Sequence, residues 1–264
     1  MTIATTTNGT TNGTASRKLN GRKVVVTGGT TGIGLASARA FLDEGAEVLV
    51  TGRSDESVER AVRELGANAH GFAADSTKVP DLEALAKEAK RVLGRVDVLF
   101  VNAGNGMFAP ITDVDEALFD RQFDLNVKGV FFTVQKLLPL MDEGASIILT
   151  ASAVHKKGVP GGSLYFASKA AVRSFARTMA AELAEKGIRV NALSPGITPT
   201  SFFANSNAPE AMYDDFERMA GQGAPLGRAS RPEEQARAAV FLATADSSFV
   251  TAADLVVDGG WMNV

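Results

Sequence analysis

Two tyrosines occur in this 264-residue chain, and only Tyr165 has a lysine, Lys169, four positions on. Tyr213 has Glu217 at that offset. Residues i and i+4 share a helix face, so Lys169 would sit one turn from the Tyr165 ring. A free tyrosine titrates at about pH 10, and a neighbouring cation favours the phenolate; each tenfold gain in acidity corresponds to about 1.4 kcal/mol. Such a pair can give a proton to a carbonyl or take one from an alcohol. Ser152 lies upstream, just past an apolar run ending at Thr150. Its hydroxyl is suited to hydrogen-bond a substrate oxygen as charge develops. Asn126 falls inside a helical pattern where asparagine is a poor former, which suits a polar task such as holding a water, or equally a cap or an exposed site.

A second group of residues suits a nucleotide. Thr27-Gly28-Gly29-Thr30-Thr31-Gly32-Ile33-Gly34 links a valine-rich run to a helical pattern. Missing side chains there let a pyrophosphate approach the backbone, and the helix N-terminus offers free N–H groups. About 20 residues on, where an NAD-binding fold presents an acid to the ribose, stand Gly52, Arg53 and Ser54. An arginine fork binds a 2′-phosphate that a carboxylate would repel, so NADP(H) is the expected cofactor, with Ser54 adding a neutral hydrogen bond. Asp55 is expected to cap the next helix. Asp75 is placed either to accept from an adenine amino group or to cap its turn. Asn102-Ala103-Gly104 lets the backbone pass close to a cofactor, with Asn102 pinning the loop.

The elements that must position these groups alternate. Strands are expected at Lys23–Thr27, Glu47–Thr51, Ala69–Ala73, Val96–Val101, Ser146–Thr150, Ile188–Leu193 and Asp254–Val257. Helices are expected at Ile33–Glu44, Glu56–Leu65, Leu82–Leu93, Asp115–Leu140, Leu164–Glu185 and Pro232–Ala243, with an irregular helical stretch over Ser201–Ala220. Nearly continuous Val/Leu/Ile strands imply a sheet covered on both faces. The expected fold is α/β: a single doubly wound (Rossmann) domain with a seven-stranded parallel sheet.

These residues, in this order and spacing, resemble the short-chain dehydrogenase/reductase family: the glycine loop at 27–34, Asn102-Ala103-Gly104, Asn126, Ser152, Tyr165 with Lys169, Asn191 and Pro195-Gly196. The resemblance runs from Leu19 to Val264. It implies a catalytic tetrad of Asn126, Ser152, Tyr165 and Lys169, with Tyr165 the acid/base and Lys169 also holding the nicotinamide ribose. It implies that Pro195, Gly196 and Ile197 line the nicotinamide and that Thr200 meets its amide or diphosphate, on a loop that Pro199 stiffens. The stretches at 132–136, 169–178 and 225–228 and the C-terminal Val-Asp-Gly-Gly resemble bacterial NADP-dependent secondary-alcohol dehydrogenases acting on bulky ketones. Family members are commonly tetramers built on the helices near 115–140 and 164–185, so a homotetramer is expected.

Between Ser201 and Gly223 the chain carries Phe202, Phe203, Met212, Tyr213, Phe216 and Met219. This is either a core-packed amphipathic helix or, on the family pattern, a lid over the substrate at about 198–223, joined by Phe108 and Leu164. The expected substrate contacts are Ser152, Tyr165, Phe202 and Phe203, and the expected substrate is an apolar ketone, aldehyde or secondary alcohol. A 3-oxoacyl-carrier-protein reductase would need a basic docking patch, for which Arg173 and Arg177 are candidates. A non-catalytic dinucleotide-binding protein would have no use for the Tyr–Lys pair. His155 is expected at the surface.

Composition narrows the chemistry. Cysteine is absent and only two histidines occur, so thiolate chemistry is excluded and no metal site is expected. The net charge of −3 argues against nucleic-acid or anionic-membrane binding. No apolar run reaches membrane-spanning length. Residues 1–17, rich in Thr, Asn and Gly, read as a disordered tail without a secretory apolar core, and a cytoplasmic protein is expected.

Overall fold

The computed structural model describes residues 17–202, 206–207, 218, 221–262 and 264. The tail, apart from Arg17, and Phe203, Met212, Tyr213, Phe216, Glu217 and Met219 lie outside the described residues. Seven strands form one all-parallel sheet: β1 Lys23–Thr27, β2 Glu47–Gly52, β3 Ala69–Ala73, β4 Val98–Val101, β5 Ser146–Thr150, β6 Arg189–Pro195 and β7 Asp254–Val257. Their order across the sheet is β3-β2-β1-β4-β5-β6-β7.

The helices are α1 Gly32–Asp43, α2 Asp55–Leu65, α3 Val79–Leu93, α4 Glu116–Phe123, α5 Val130–Leu137, α6 Ser163–Leu183 and α7 Pro232–Ala243. Leu82, Leu85, Val130, Val134, Val172 and Ala176, from α3, α5 and α6, pack on one sheet face. Phe41, Ala61, Leu65, Ala239 and Leu242, from α1, α2 and α7, pack on the other. Both faces are therefore dry, which is why the central strands carry uninterrupted apolar runs. The order reverses between β1 and β4, with Thr27 beside Val101. The loops leaving these two carboxyl ends diverge there and open a crevice.

Several boundaries shift. Helix α3 begins three residues earlier than expected because Pro80 sits in its first turn, where proline lacks nothing the helix needs. Strand β4 starts at Val98 rather than Val96. Strand β6 runs on to Pro195. The helix expected over Asp115–Leu140 is not continuous: a π-helical turn, Asp124–Gly129, separates α4 from α5, and a 3₁₀ turn follows at Leu138–Leu140.

Candidate active site

A cavity of about 1310 Å³ opens at the carboxyl end of the sheet. Its nucleotide end is built mainly from backbone. Gly28 has φ +62°, and a Cβ there would meet Ala103 Cα at 2.9 Å; one on Gly34 would meet Gly28 O at 2.1 Å. Glycine at both positions is what lets the two loops close on each other. Thr27 Oγ1 accepts from the backbone N–H groups of Asn102 and Ala103 at 3.1 and 3.2 Å, and Asn102 Nδ2 donates to Gly28 O at 3.1 Å. Thr31, at the N-cap of α1, makes no side-chain cap bond, so its side chain leaves the first N–H groups of α1 uncapped, and the residues around them, Gly28, Thr30, Thr31, Gly32 and Ile33, line this end of the cavity. This cradle fits the diphosphate of a dinucleotide.

Arg53 lines the same end, and its charge helps hold the Asp75 carboxyl below its usual range. Burial acts against that lowering, which comes first from the Thr77 hydrogen bonds and then from Lys78 and Arg53. Ser54, not Asp55, caps α2, accepting from Ser57 N at 3.3 Å. The helix thus begins one residue earlier than expected, and the Ser54 hydroxyl is occupied there. Asp75 spends Oδ1 on the N–H and hydroxyl of Thr77, so the turn-capping alternative describes it. Neither Ser54 nor Asp75 lines the cavity, and Gly34 lies behind the lining, against Gly28.

The middle of the cavity brings Ser152, Tyr165 and Lys169 together with Gly104. Tyr165 and Lys169 lie on α6; Ser152 lies past β5. The Ser152 hydroxyl bonds to Tyr165, but burial dominates and pushes the phenol up to about 12. Burial also draws Lys169 down to about 8. The expectation that Lys169 lowers the Tyr165 pKa is thus outweighed by desolvation. The Nζ of Lys169 is 5.8 Å from the Tyr165 ring centre and donates to Thr150 O at 2.8 Å.

Asn126 is fully buried in the π turn. Its Oδ1 accepts from Asn105 N at 3.0 Å; its Nδ2 donates to Asn105 O at 2.9 Å and to Ser168 Oγ at 3.1 Å. Its side chain therefore clamps the loop after Gly104, a task that its sequence context leaves open between a water, a cap and exposure. Gln122 and Ser168, which the sequence pattern does not single out, join the same hydrogen-bond network. Gln122 Oε1 accepts from Met107 N at 2.6 Å, and Ser168 Oγ donates to Tyr165 O at 2.7 Å. Their signal is a polar side chain sharing a helix face with buried apolar residues, Leu118 for Gln122 and Leu164 and Val172 for Ser168.

Pro195, at the end of β6, and Gly196, Ile197 and Thr200 after it run along the cavity wall. Thr200 faces Gly32, and Ser201 Oγ donates to Thr31 Oγ1 at 2.9 Å, tying this segment to the glycine loop. Asn191 lies elsewhere: its amide bonds to Val250 O and Ala253 N, joining β6 to the chain before β7.

At the other end the Tyr165 ring has Phe108 and Phe202 at 5.5 Å and Phe166 at 6.1 Å. Asn207 brackets Phe108, accepting from its N–H at 2.7 Å and donating to its carbonyl at 2.9 Å. Of the described residues in the stretch expected as a lid, Thr198, Thr200, Ser201, Phe202 and Asn207 border the cavity. Leu164 instead packs with Met107 and Leu118. His155 is not a surface residue: its side chain is 7% exposed and its Nε2 is 3.2 Å from Asp254 Oδ2. Arg173 donates to Ala252 O and borders Asp254 at 3.7 Å, so it offers no free docking patch.

The profile of the family described as enoyl-(acyl carrier protein) reductase matches residues 28–262. Oxidoreductase asL5 of Sarocladium schorii is 42% identical over 93% of this chain and 98% of its own. A variant of the actinorhodin polyketide ketoreductase, solved with NADPH, is 32% identical with TM-score 0.82, covering 92% of this chain and 98% of that one. The 3-ketoacyl-(acyl-carrier-protein) reductase of Brucella melitensis, complexed with NADH, is 30% identical with TM-score 0.84, covering 92% and 99%. The chain belongs to the short-chain dehydrogenase/reductase family. It is an oxidoreductase of that family.

Proposed function

We propose that this enzyme transfers a hydride between NADP(H) and a bulky, largely apolar ketone or secondary alcohol. The observation that carries the reading is the placing of Tyr165: its hydroxyl, bonded to Ser152, stands between the glycine-rich nucleotide end and an aromatic pocket of Phe108, Phe166 and Phe202. A bound nicotinamide cofactor supplies or accepts the hydride. Ser152 orients the carbonyl oxygen by hydrogen bonding. Tyr165, a phenol held neutral by burial, donates the proton to that oxygen in reduction and takes it back in oxidation. Lys169 is held between Thr150 O and the Tyr165 ring, where its charge favours the phenolate left behind. Asn126 acts one step back, fixing the Asn105 backbone beside Gly104.

Arg53 supports NADP(H), since the strand-end position before it is glycine rather than an acid. A second reading, 3-oxoacyl-carrier-protein reductase, is favoured by the ketoreductases among the structural relatives. Reduction of an aryl alkyl ketone and of an acetoacetyl thioester, each with NADPH and NADH, tests both. Higher kcat/KM for the ketone with NADPH is expected; higher kcat/KM for the thioester transfers the assignment to the second reading. A homotetramer is supported by Phe119 and Phe131, exposed on α4 and α5.

A further inference from the structure

The charged side chains lining the described cavity are three cations, Arg53, Lys157 and Lys169, with no carboxylate among them. Arg53 faces the nucleotide end and Lys169 serves the reacting centre. Lys157 has neither role. It lies on the loop that runs from Ser152 into α6, and therefore at the substrate end. The neighbouring Val159 is 40% exposed and Ile111, across the cavity, is 82% exposed, so this is where the cavity opens to solvent.

The ammonium of Lys157 is held in place without being neutralised. Its Nζ lies 4.1 Å from the Trp261 ring centre and donates to Trp261 O at 2.9 Å. A π face and a carbonyl orient a cation but leave its full charge. The preceding two residues differ: His155 and Lys156 both approach Asp254, at 3.2 and 3.7 Å. Among the described residues no carboxylate pairs with Lys157. Trp261 is fixed in turn by the C-terminal turn, where Asp258 accepts from the N–H groups of Gly260 and Met262, both at 2.8 Å.

Resting on the proposed ketone reduction, we infer that Lys157 selects substrates carrying an oxyanion at the end remote from the carbonyl. The site takes an apolar ketone skeleton against Phe108, Phe166 and Phe202 and a carboxylate or phosphate against Lys157 at the mouth. The oxyanion is either part of the ketone itself or the phosphate of a phosphopantetheine arm carrying the ketone as a thioester.

The test compares 4-benzoylbutyrate with its primary amide, which has the same shape without the charge. Affinities are measured by calorimetry with NADP+ present, and kcat/KM with NADPH. A charge-assisted hydrogen bond is worth about 1.5–3 kcal/mol, so the acid is expected to bind about 10- to 150-fold more tightly than the amide, with the gain in KM rather than kcat. Lys157→Met should bring that ratio near one and Lys157→Arg should keep most of it. A parallel pair, acetoacetyl-phosphopantetheine against acetoacetyl-pantetheine, locates the oxyanion: a larger acid-to-neutral ratio here assigns it to the carrier arm. Equal affinities within both pairs, or a preference that survives Lys157→Met, overturns the inference. If neither ketone is reduced, the proposed reaction fails, while the calorimetric ratio still decides the role of Lys157.

Discussion

Lys169 Nζ donates to the carbonyl of Thr150 at 2.8 Å, so the last residue of β5 holds the lysine that lies 5.8 Å from the Tyr165 ring centre on α6. The lysine is 4% exposed, and burial holds its pKa at about 8. This ion is costly to the fold in its charged form. In the unfolded chain Lys169 keeps its proton to about pH 10.5. Between pH 8 and 10.5 the unfolded state therefore binds more protons, and stability should rise with pH. Relative to Lys169→Met, the wild type should gain about 2–3 kcal/mol between pH 7.5 and 10. Urea melts of both proteins at the two pH values check this; parallel pH dependence would remove the buried charge as its source.

Tyr165 titrates the other way. Its folded pKa of about 12 exceeds the ordinary tyrosine value of 10, so its contribution falls as pH rises from 10 through 12. In activity, Tyr165→Phe deletes the proton donor and almost no volume. We expect kcat to fall by about 10²–10⁴-fold with the Kd for NADPH little changed. Turnover within a few-fold of wild type would remove Tyr165 from the acid/base role.

Cofactor choice should lean on Arg53. Losing a charge-assisted contact costs about 1.5–3 kcal/mol, so Arg53→Ala should lower kcat/KM for NADPH about 10- to 150-fold and leave NADH nearly unaffected. Placing an acid at Gly52 needs more than one change, because a Cβ there would lie 2.6 Å from Thr30 Cγ2. Gly52→Asp with Thr30→Ser and Arg53→Ala should reverse the preference. Wild-type kcat/KM favouring NADH would show that Arg53 makes no phosphate contact.

Asn126→Ala strands the backbone N–H of Asn105 and removes one of the two donors to its carbonyl, the other being Gln122 Nε2 at 3.2 Å. Leaving buried polar groups unpaired costs about 1–3 kcal/mol each, so stability and kcat should both fall. Asn126→Asp keeps an acceptor for Asn105 N–H but loses the donor to Asn105 O, and should be intermediate. Chemical denaturation beside steady-state kinetics separates the two effects.

The aromatic face of α4 and α5 gives a prediction on assembly. Phe131 is 39% exposed and packs against Phe132 and Phe175 at 5.5 and 5.7 Å. Phe131→Glu should lower the solution mass below that of the wild type in light scattering. A wild-type monomer would end the tetramer reading.

The seven parallel strands and the places of Tyr165, Ser152 and the glycine loop along the chain were legible because they depend on local pattern: apolar runs, i and i+4 spacing, and glycines between strand and helix. His155 was not: its partner is chosen by the fold, Asp254 some hundred residues away. The same holds for Gln122, whose target Met107 N becomes visible only when the loop after β4 folds back over α4. The net direction in which the Tyr165 pKa moves was also hidden, since spacing shows a neighbour but not the depth at which both are buried.

The π turn at Asp124–Gly129 locks two registers together. It carries Asn126, which with Gln122 grips the loop after Gly104, and it leads directly into Val130, Val134 and Leu137, which face the sheet. Each residue of an α-helix turns the chain by about 100°, so deleting one to restore regular helix would either swing Asn126 off Asn105 or rotate three apolar side chains into water. Point substitution can therefore retune this helix, whereas a single-residue deletion within it would break either the site or the core.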